Sequence, residues 1–183
     1  RPAVSTILFG SCLVPERSHS ILDAIVADRP DLFVFTGDNI YADTVNPQTM
    51  SRHYDALASS SRFQALISET PVVAIWDDHD YGMNDAGEEY PMKEESERQF
   101  ERFWGLGSGA AATRPGVYQS YLFGPPDKRV QLILLDTRWF RSALKRGRSG
   151  DFTGPYAAND DPNATILGER QWRWFERELE LPA

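Results

Sequence analysis

Four short apolar runs shape this sequence, and each breaks off into side chains that can hold a proton or a metal. Ile7-Leu8-Phe9 closes on Gly10-Ser11-Cys12, and Leu32-Phe33-Val34-Phe35 closes on Thr36-Gly37-Asp38-Asn39. Val72-Val73-Ala74-Ile75-Trp76 closes on Asp77-Asp78-His79-Asp80, and Leu132-Ile133-Leu134-Leu135 on Asp136-Thr137-Arg138. Runs this short, rich in β-branched and aromatic residues and without alternation, predict strands buried on both faces of a helix-covered sheet. Helical spacing fills the intervals: Ile21, Leu22, Ile25 and Val26 ahead of Pro30, then Pro47 through Leu57, then Arg62 to Ile67. That β-α-β-α-β order predicts parallel strands joined by crossovers. Glu94 to Trp104 reads as a further helix with Phe100, Phe103 and Trp104 on its apolar side. Val117 to Phe123 and Arg129 to Leu135 flank Gly124-Pro125-Pro126-Asp127-Lys128 as a hairpin, and Trp172 to Leu181 reads as an amphipathic helix. The expected fold is therefore α/β: a mixed, mostly parallel sheet flanked by helices. Residues 105–116 and 145–165 read as loops.

Composition bounds the function. A chain of 183 residues is one domain, 1–183, with 41% apolar and 25% charged side chains. The net charge of −8 repels phosphate backbones, which argues against nucleic-acid binding. One cysteine forms no intramolecular disulfide, and with three histidines it cannot build a Cys/His zinc finger. No apolar run approaches the length of a membrane span. The chain opens Arg1-Pro2 without a methionine or a signal-peptide pattern and closes in a helix, so it reads as a fragment of a longer protein.

In open α/β sheets ligands sit beyond the carboxyl ends of the strands. The four runs would deliver Cys12, Asp38, Asn39, Asp77, Asp78, His79, Asp80, Asp136 and Arg138 to that rim. A thiol, several carboxylates and an imidazole converging there make a metal site the simplest account, because without a cation the carboxylates repel and take up protons. Other candidates have plainer readings. His19 precedes a helix and reads as a solvated or capping residue, and His53 lies within one. The glutamates from Glu88 to Glu97 read as a solvated face. Gly105, Gly107 and Gly109 lack a strand before them and a helix after them, against a phosphate cradle. Arg138, Arg141, Lys145, Arg146 and Arg148 form a basic patch suited to steering an anionic substrate.

Five strings carry a resemblance: Phe9-Gly10-Ser11-Cys12, Gly37-Asp38-Asn39-Ile40-Tyr41-Ala42-Asp43, Trp76-Asp77-Asp78-His79-Asp80-Tyr81-Gly82, Leu135-Asp136-Thr137-Arg138 and Leu167-Gly168-Glu169-Arg170-Gln171-Trp172. In this order they resemble the alkaline phosphatase D (PhoD-like) family of calcineurin-like metallophosphoesterases, from about residue 5 to 181. The resemblance implies a metal-dependent phosphoester hydrolase, phosphatase or phosphodiesterase, with a metal-bound hydroxide as nucleophile. It implies Fe3+ and Ca2+ as cofactors, other divalent metals being compatible, and a small phosphoester as substrate. Cys12, Asp38, Tyr41 and Asp78 would be metal ligands, with Asp38 bridging. His79 would assist the leaving group and, with Asp38, make the catalytic pair. Asn39, Asn84 and Arg138 would lie on the substrate side, as would Asp77 and Asp80 unless they support the ligands. Export to the periplasm or beyond the cell is also implied. The family completes its site with histidines on later strands in a motif like Gly-Asp-x-His, and no histidine follows His79. The chain is thus expected to be the N-terminal part, half of a four-layer αββα sandwich. Two alternatives stand beside this reading. The chain could be a truncated metal-binding fragment without activity. It could also be a serine esterase of the SGNH type, on the strength of Gly82-Met83-Asn84-Asp85 with Ser11 as nucleophile.

Overall fold

The computed structural model describes residues 3–15, 17–106, 114–147 and 155–181. Three strands, β1 (Ile7–Gly10), β2 (Leu32–Thr36) and β3 (Val72–Ile75), form a parallel sheet in the order β1-β2-β3. The register is set by Phe9 opposite Val34 and Phe35 opposite Ala74. Between the strands run α1 (Ile21–Asp28), α2 (Pro47–Ala58) and α3 (Ser61–Glu69); β3 is followed by the single turn α4 (Asp78–Tyr81) and by α5 (Lys93–Trp104). Strands β4 (Gln119–Phe123) and β5 (Val130–Leu134) pair antiparallel, and α6 (Gly168–Leu179) closes the order. Parallel and antiparallel pairing are thus both present, but divided between two sheets. A side chain spans the gap: Gln119 Nε2 donates to the Ala74 carbonyl at 2.9 Å, a bond that a ladder would otherwise make.

Local chemistry explains the helix ends. Asn46 caps α2 by accepting the Thr49 amide at 3.0 Å, with Pro47 at the first helical position, where no amide is needed. Ser60 accepts the Phe63 amide at the start of α3, and α5 ends on Gly105 in the left-handed conformation. Gly105 is therefore a helix stop, while Gly107 and Gly109 lie outside the described residues. Helix α4 is absent from the sequence reading, because one turn of Asp-His-Asp-Tyr carries no apolar period.

Burial on both faces holds for β2, whose Leu32, Phe33, Val34 and Phe35 are all buried between paired neighbours. It does not hold for β1. As an edge strand it leaves Phe9 75% exposed, since the described elements do not cover that side. The core is aromatic: Phe35 lies 5.0 Å from Trp104 and 5.9 Å from Phe63, and Trp76 meets Tyr81 at 5.0 Å and Phe100 at 5.3 Å. Such edge and tilted contacts stabilise beyond the area they bury, and here they fix β2 and β3 against α3 and α5. The three parallel strands consequently end together, on one rim, over a rigid base.

Candidate metal centre

Backbone bonds first bring the loops after β1 and β2 side by side. The Cys12 amide donates to the Gly37 carbonyl at 3.2 Å and the Leu13 amide to the Asp38 carbonyl at 2.9 Å. Cys12 and Asp38 take left-handed φ values of 63° and 52°. Asp80 then ties the β2 loop to the β3 loop. Its buried carboxylate accepts the amides of Asp77 at 2.6 Å, Asn39 at 3.1 Å and Asp38 at 3.3 Å, together with the Asn39 side-chain amide at 2.6 Å. Burial pushes the Asp80 carboxyl up, against the donors that favour its anion.

On this frame Asp38 is the centre. Its Oδ2 lies 3.4 Å from the Cys12 sulfur and 3.4 Å from the Tyr41 hydroxyl. Its Oδ1 is buried and meets no hydrogen-bond donor. One donor atom each from Asp38, Asp78 and His79 lies within 4.8 Å of the others. Burial raises the Asp38 carboxyl above its ordinary range, with the carboxylates of Asp78 and Asp77 adding to it, while the Cys12 thiol pulls the other way. Burial also acts on Asp78, but the Asp85 amide, Arg138 and His79 outweigh it and hold that carboxyl below its ordinary value. The Asp85 amide donates to Asp78 Oδ2 at 2.6 Å.

His79 is held from two sides. Its ring stacks on Tyr41 with centroids 4.2 Å apart, and Nδ1 lies 2.7 Å from Asp43. A carboxylate at Nδ1 fixes a proton there, so Nε2 is the nitrogen that either offers a lone pair or, in the imidazolium, carries the second proton. Burial pulls the imidazole down, yet Asp43, with Asp78 and Asp38, carries it above its ordinary value. Burial raises the Tyr41 phenol, and the neighbouring Cys12 and Asp38 add to that. Asp43 belongs to the Gly-Asp-Asn-Ile-Tyr-Ala-Asp string, but only the fold reveals its contact with His79.

The residues expected on the substrate side divide. Arg138 is 8% exposed and commits itself to carboxylates, Asp77 at 2.5 Å and Asp78 at 3.7 Å, with Nη1 buried and without a partner. Asn39 is buried; its side-chain amide donates to the Ile75 carbonyl at 2.9 Å and to Asp80, while its Oδ1 meets no donor. Asn84 is exposed and bonds Asp85 at 2.7 Å. Asp136 does not reach the rim. It is fully buried, its carboxylate accepting the amides of Val117, Arg138 and Trp139, and so it sets the turn that aims Arg138. His19 bonds the Val14 carbonyl at 2.8 Å. The Ser11 hydroxyl donates to the Cys12 sulfur at 3.3 Å, a contact that offers no base to activate a serine nucleophile. Arg148 lies outside the described residues.

The donor set fits a cation. A buried carboxylate oxygen without a partner, two carboxylates and an imidazole within 4.8 Å, and a thiol and phenol on the same carboxylate make a pocket rich in negative charge. Arg138 is its one guanidinium among the described residues, and it answers Asp77 before Asp78. A family model of PhoD-like phosphatases matches residues 8–183. The chain belongs to the PhoD-like phosphatase family. No curated protein matches it. A solved structure titled "Structure of PhoD" matches with a TM-score of 0.73 at 18% identity, over 100% of this chain and 40% of the other. At that identity the likeness concerns the fold, and this chain spans 40% of the length of the chain it matches. Family membership gives the serine esterase alternative no support. No helix among the described residues is long and apolar enough to cross a membrane.

Proposed function

We propose that this chain supplies the N-terminal metal-holding half of a phosphoester hydrolase. One observation carries the reading: one donor atom each of Asp38, Asp78 and His79 lies within 4.8 Å of the others, and Asp38 keeps a buried, unpartnered carboxylate oxygen, in a chain of the PhoD-like family. Cys12 and Tyr41 join them through Asp38. Thiolate and phenolate suit ferric iron, and the carboxylate oxygens suit calcium. When bound, such cations lower the pKa of water to near neutrality and neutralise phosphoryl oxygens in an in-line displacement.

The chain's own groups then have distinct tasks. Asp38 would be a principal holder of the metal, because Asp80 fixes its backbone and its Oδ1 has no protein partner. Asp78 keeps its anion available because the Asp85 amide and Arg138 stabilise it. Asp43 orients His79, whose raised basicity suits it to protonate a departing alkoxide. Arg138 braces Asp77 and Asp78. A small phosphoester is the substrate, and export accompanies the reading by family resemblance.

Iron and calcium content, measured together with hydrolysis of a nitrophenyl phosphodiester, tests this. Bound metal with turnover, both lost in Asp38→Asn, is the expected result for the parent protein. Metal without turnover is the expected result for this chain if later histidines are indispensable, a reading favoured by the lack of any histidine after His79. Neither metal nor turnover in the parent protein overturns the proposal.

A further inference from the structure

Residues 145–147 and 155–157 form a short antiparallel arm. The Gly147 amide donates to the Pro155 carbonyl at 2.9 Å, the Ala157 amide to the Lys145 carbonyl at 3.0 Å, and Arg146 and Tyr156 face each other across the pair. At its base Ser142 and Thr165 exchange bonds of 2.9 and 3.0 Å. The Arg146 guanidinium lies 5.4 Å from the centroid of the Tyr156 ring. From this arm the Tyr156 hydroxyl donates to Asp85 Oδ2 at 2.6 Å, joining positions 71 residues apart. Asp85 stands at a left-handed φ of 60°, where Asp and Asn are the side chains best tolerated after glycine. Its amide donates to Asp78 Oδ2 at 2.6 Å. The arm therefore ends, through one residue, on a carboxylate of the metal centre.

We infer that Tyr156 is a positioning residue for Asp78: by gripping the Asp85 carboxylate it holds the Asp85 amide where it fixes the Asp78 carboxylate for a cation. This rests on Asp78 being a metal ligand. A solvated tyrosine–aspartate contact would otherwise contribute little. Here Asp85 Oδ2 takes both the Tyr156 hydroxyl and the side-chain amide of its neighbour Asn84, while its own amide holds Asp78, so Tyr156 is the long-range grip whose loss loosens the Asp78 end. Groups that hold a ligand from behind commonly set metal affinity by about tenfold or more.

Mn2+ binding to the full chain, followed by calorimetry and by the electron paramagnetic resonance signal of bound Mn2+, provides the test. Tyr156→Phe keeps the ring beside Arg146 and removes only the hydroxyl. It is expected to weaken Mn2+ binding about tenfold, to broaden the bound signal, and to leave the thermal midpoint where it was. Asp85→Asn keeps an acceptor and tolerates the left-handed backbone, so it should bind close to wild type. Asp85→Ala should bind at least as weakly as Tyr156→Phe, and adding Tyr156→Phe to it should cost nothing more. Asp78→Asn separates the two levels of the claim. If it loses Mn2+ while Tyr156→Phe binds like wild type, the inference fails and the metal site stands. If Asp78→Asn itself binds like wild type, the site reading fails, and the inference with it.

Discussion

Glu97, on the inner side of α5, accepts the Gly116 amide at 2.6 Å and touches none of the metal-centre residues. Burial pushes its carboxyl up to about 7, against the Gly116 bond, with Glu101, Asp136 and Glu94 adding to the rise. The native chain therefore keeps a proton between pH 4.5 and 7 that the unfolded chain has released, so stability is greatest below that window and falls as pH rises through it. Glu97→Gln keeps the acceptor without the charge. It should match wild type at pH 5 and exceed it at pH 8 by about 1 kcal/mol, allowing for the group's partial exposure. Urea unfolding at both pH values checks this, and equal pH slopes in the two proteins would exclude the effect. The metal centre contrasts with Glu97 in legibility. Asp38, Asp78 and His79 announce themselves as chemistry at strand ends. Glu97 looks like any member of an acidic helix face until Gly116 is seen to lie on it.

Among elements, the junction of β2 with the turn before Asp38 leaves no room for a side chain. Gly37 has φ +113°, and a Cβ there would fall 2.5 Å from the Asp77 Cβ and 2.8 Å from its amide nitrogen. The loops after β2 and β3 thus pass through one point that admits only a hydrogen. Gly37→Ala must push Asp77, and with it α4, away from β2. It should destabilise the chain by about 2–3 kcal/mol, from overpacking and a strained φ together. Mn2+ affinity should drop more than tenfold, because Asp78 and His79 lie on the displaced turn. Urea titration and calorimetry on one preparation check both. A variant with weakened stability and intact affinity would show that the two loops reach the centre independently. The strands and longer helices were legible in outline, since their apolar spacing is local. The division into two sheets was not. Whether β4 continues β3 depends on Gln119 meeting Ala74 across 45 residues.

At the scale of the whole molecule, negative charge dominates, with a net −8 and carboxylates gathered at one rim. Cation binding should therefore stabilise the fold as well as prepare the site. A ligand that binds only the native state adds about 2.7 kcal/mol at one hundred times its dissociation constant. Thermal unfolding with and without Mn2+ should show the midpoint rise in wild type and not in Asp38→Asn. An equal rise in both would place the cation elsewhere on the acidic surface. Asp38→Asn without metal should be no less stable than wild type, since it removes a desolvated charge that burial already disfavours.

The amino-acid sequence alone determined the α/β alternation, the rim of strand ends where chemistry gathers, and the membership of Cys12, Asp38, Tyr41, Asp78 and His79 in one motif set. The first two follow from patterns spanning a few residues, where apolar spacing and residue chemistry act directly, and the motif set follows from the resemblance of its strings to the PhoD-like family. Only the tertiary structure decided that the Asn39 amide meets Ile75 and Asp80, that Asp136 is buried on backbone amides, that Arg138 pairs with Asp77 and Asp78, that Asp43 meets His79 and that Tyr156 meets Asp85. Those contacts depend on which distant amides, guanidinium groups and carboxylates come within bonding or ion-pair distance after folding. Such distances come from packing around the aromatic core, which local periodicity does not encode.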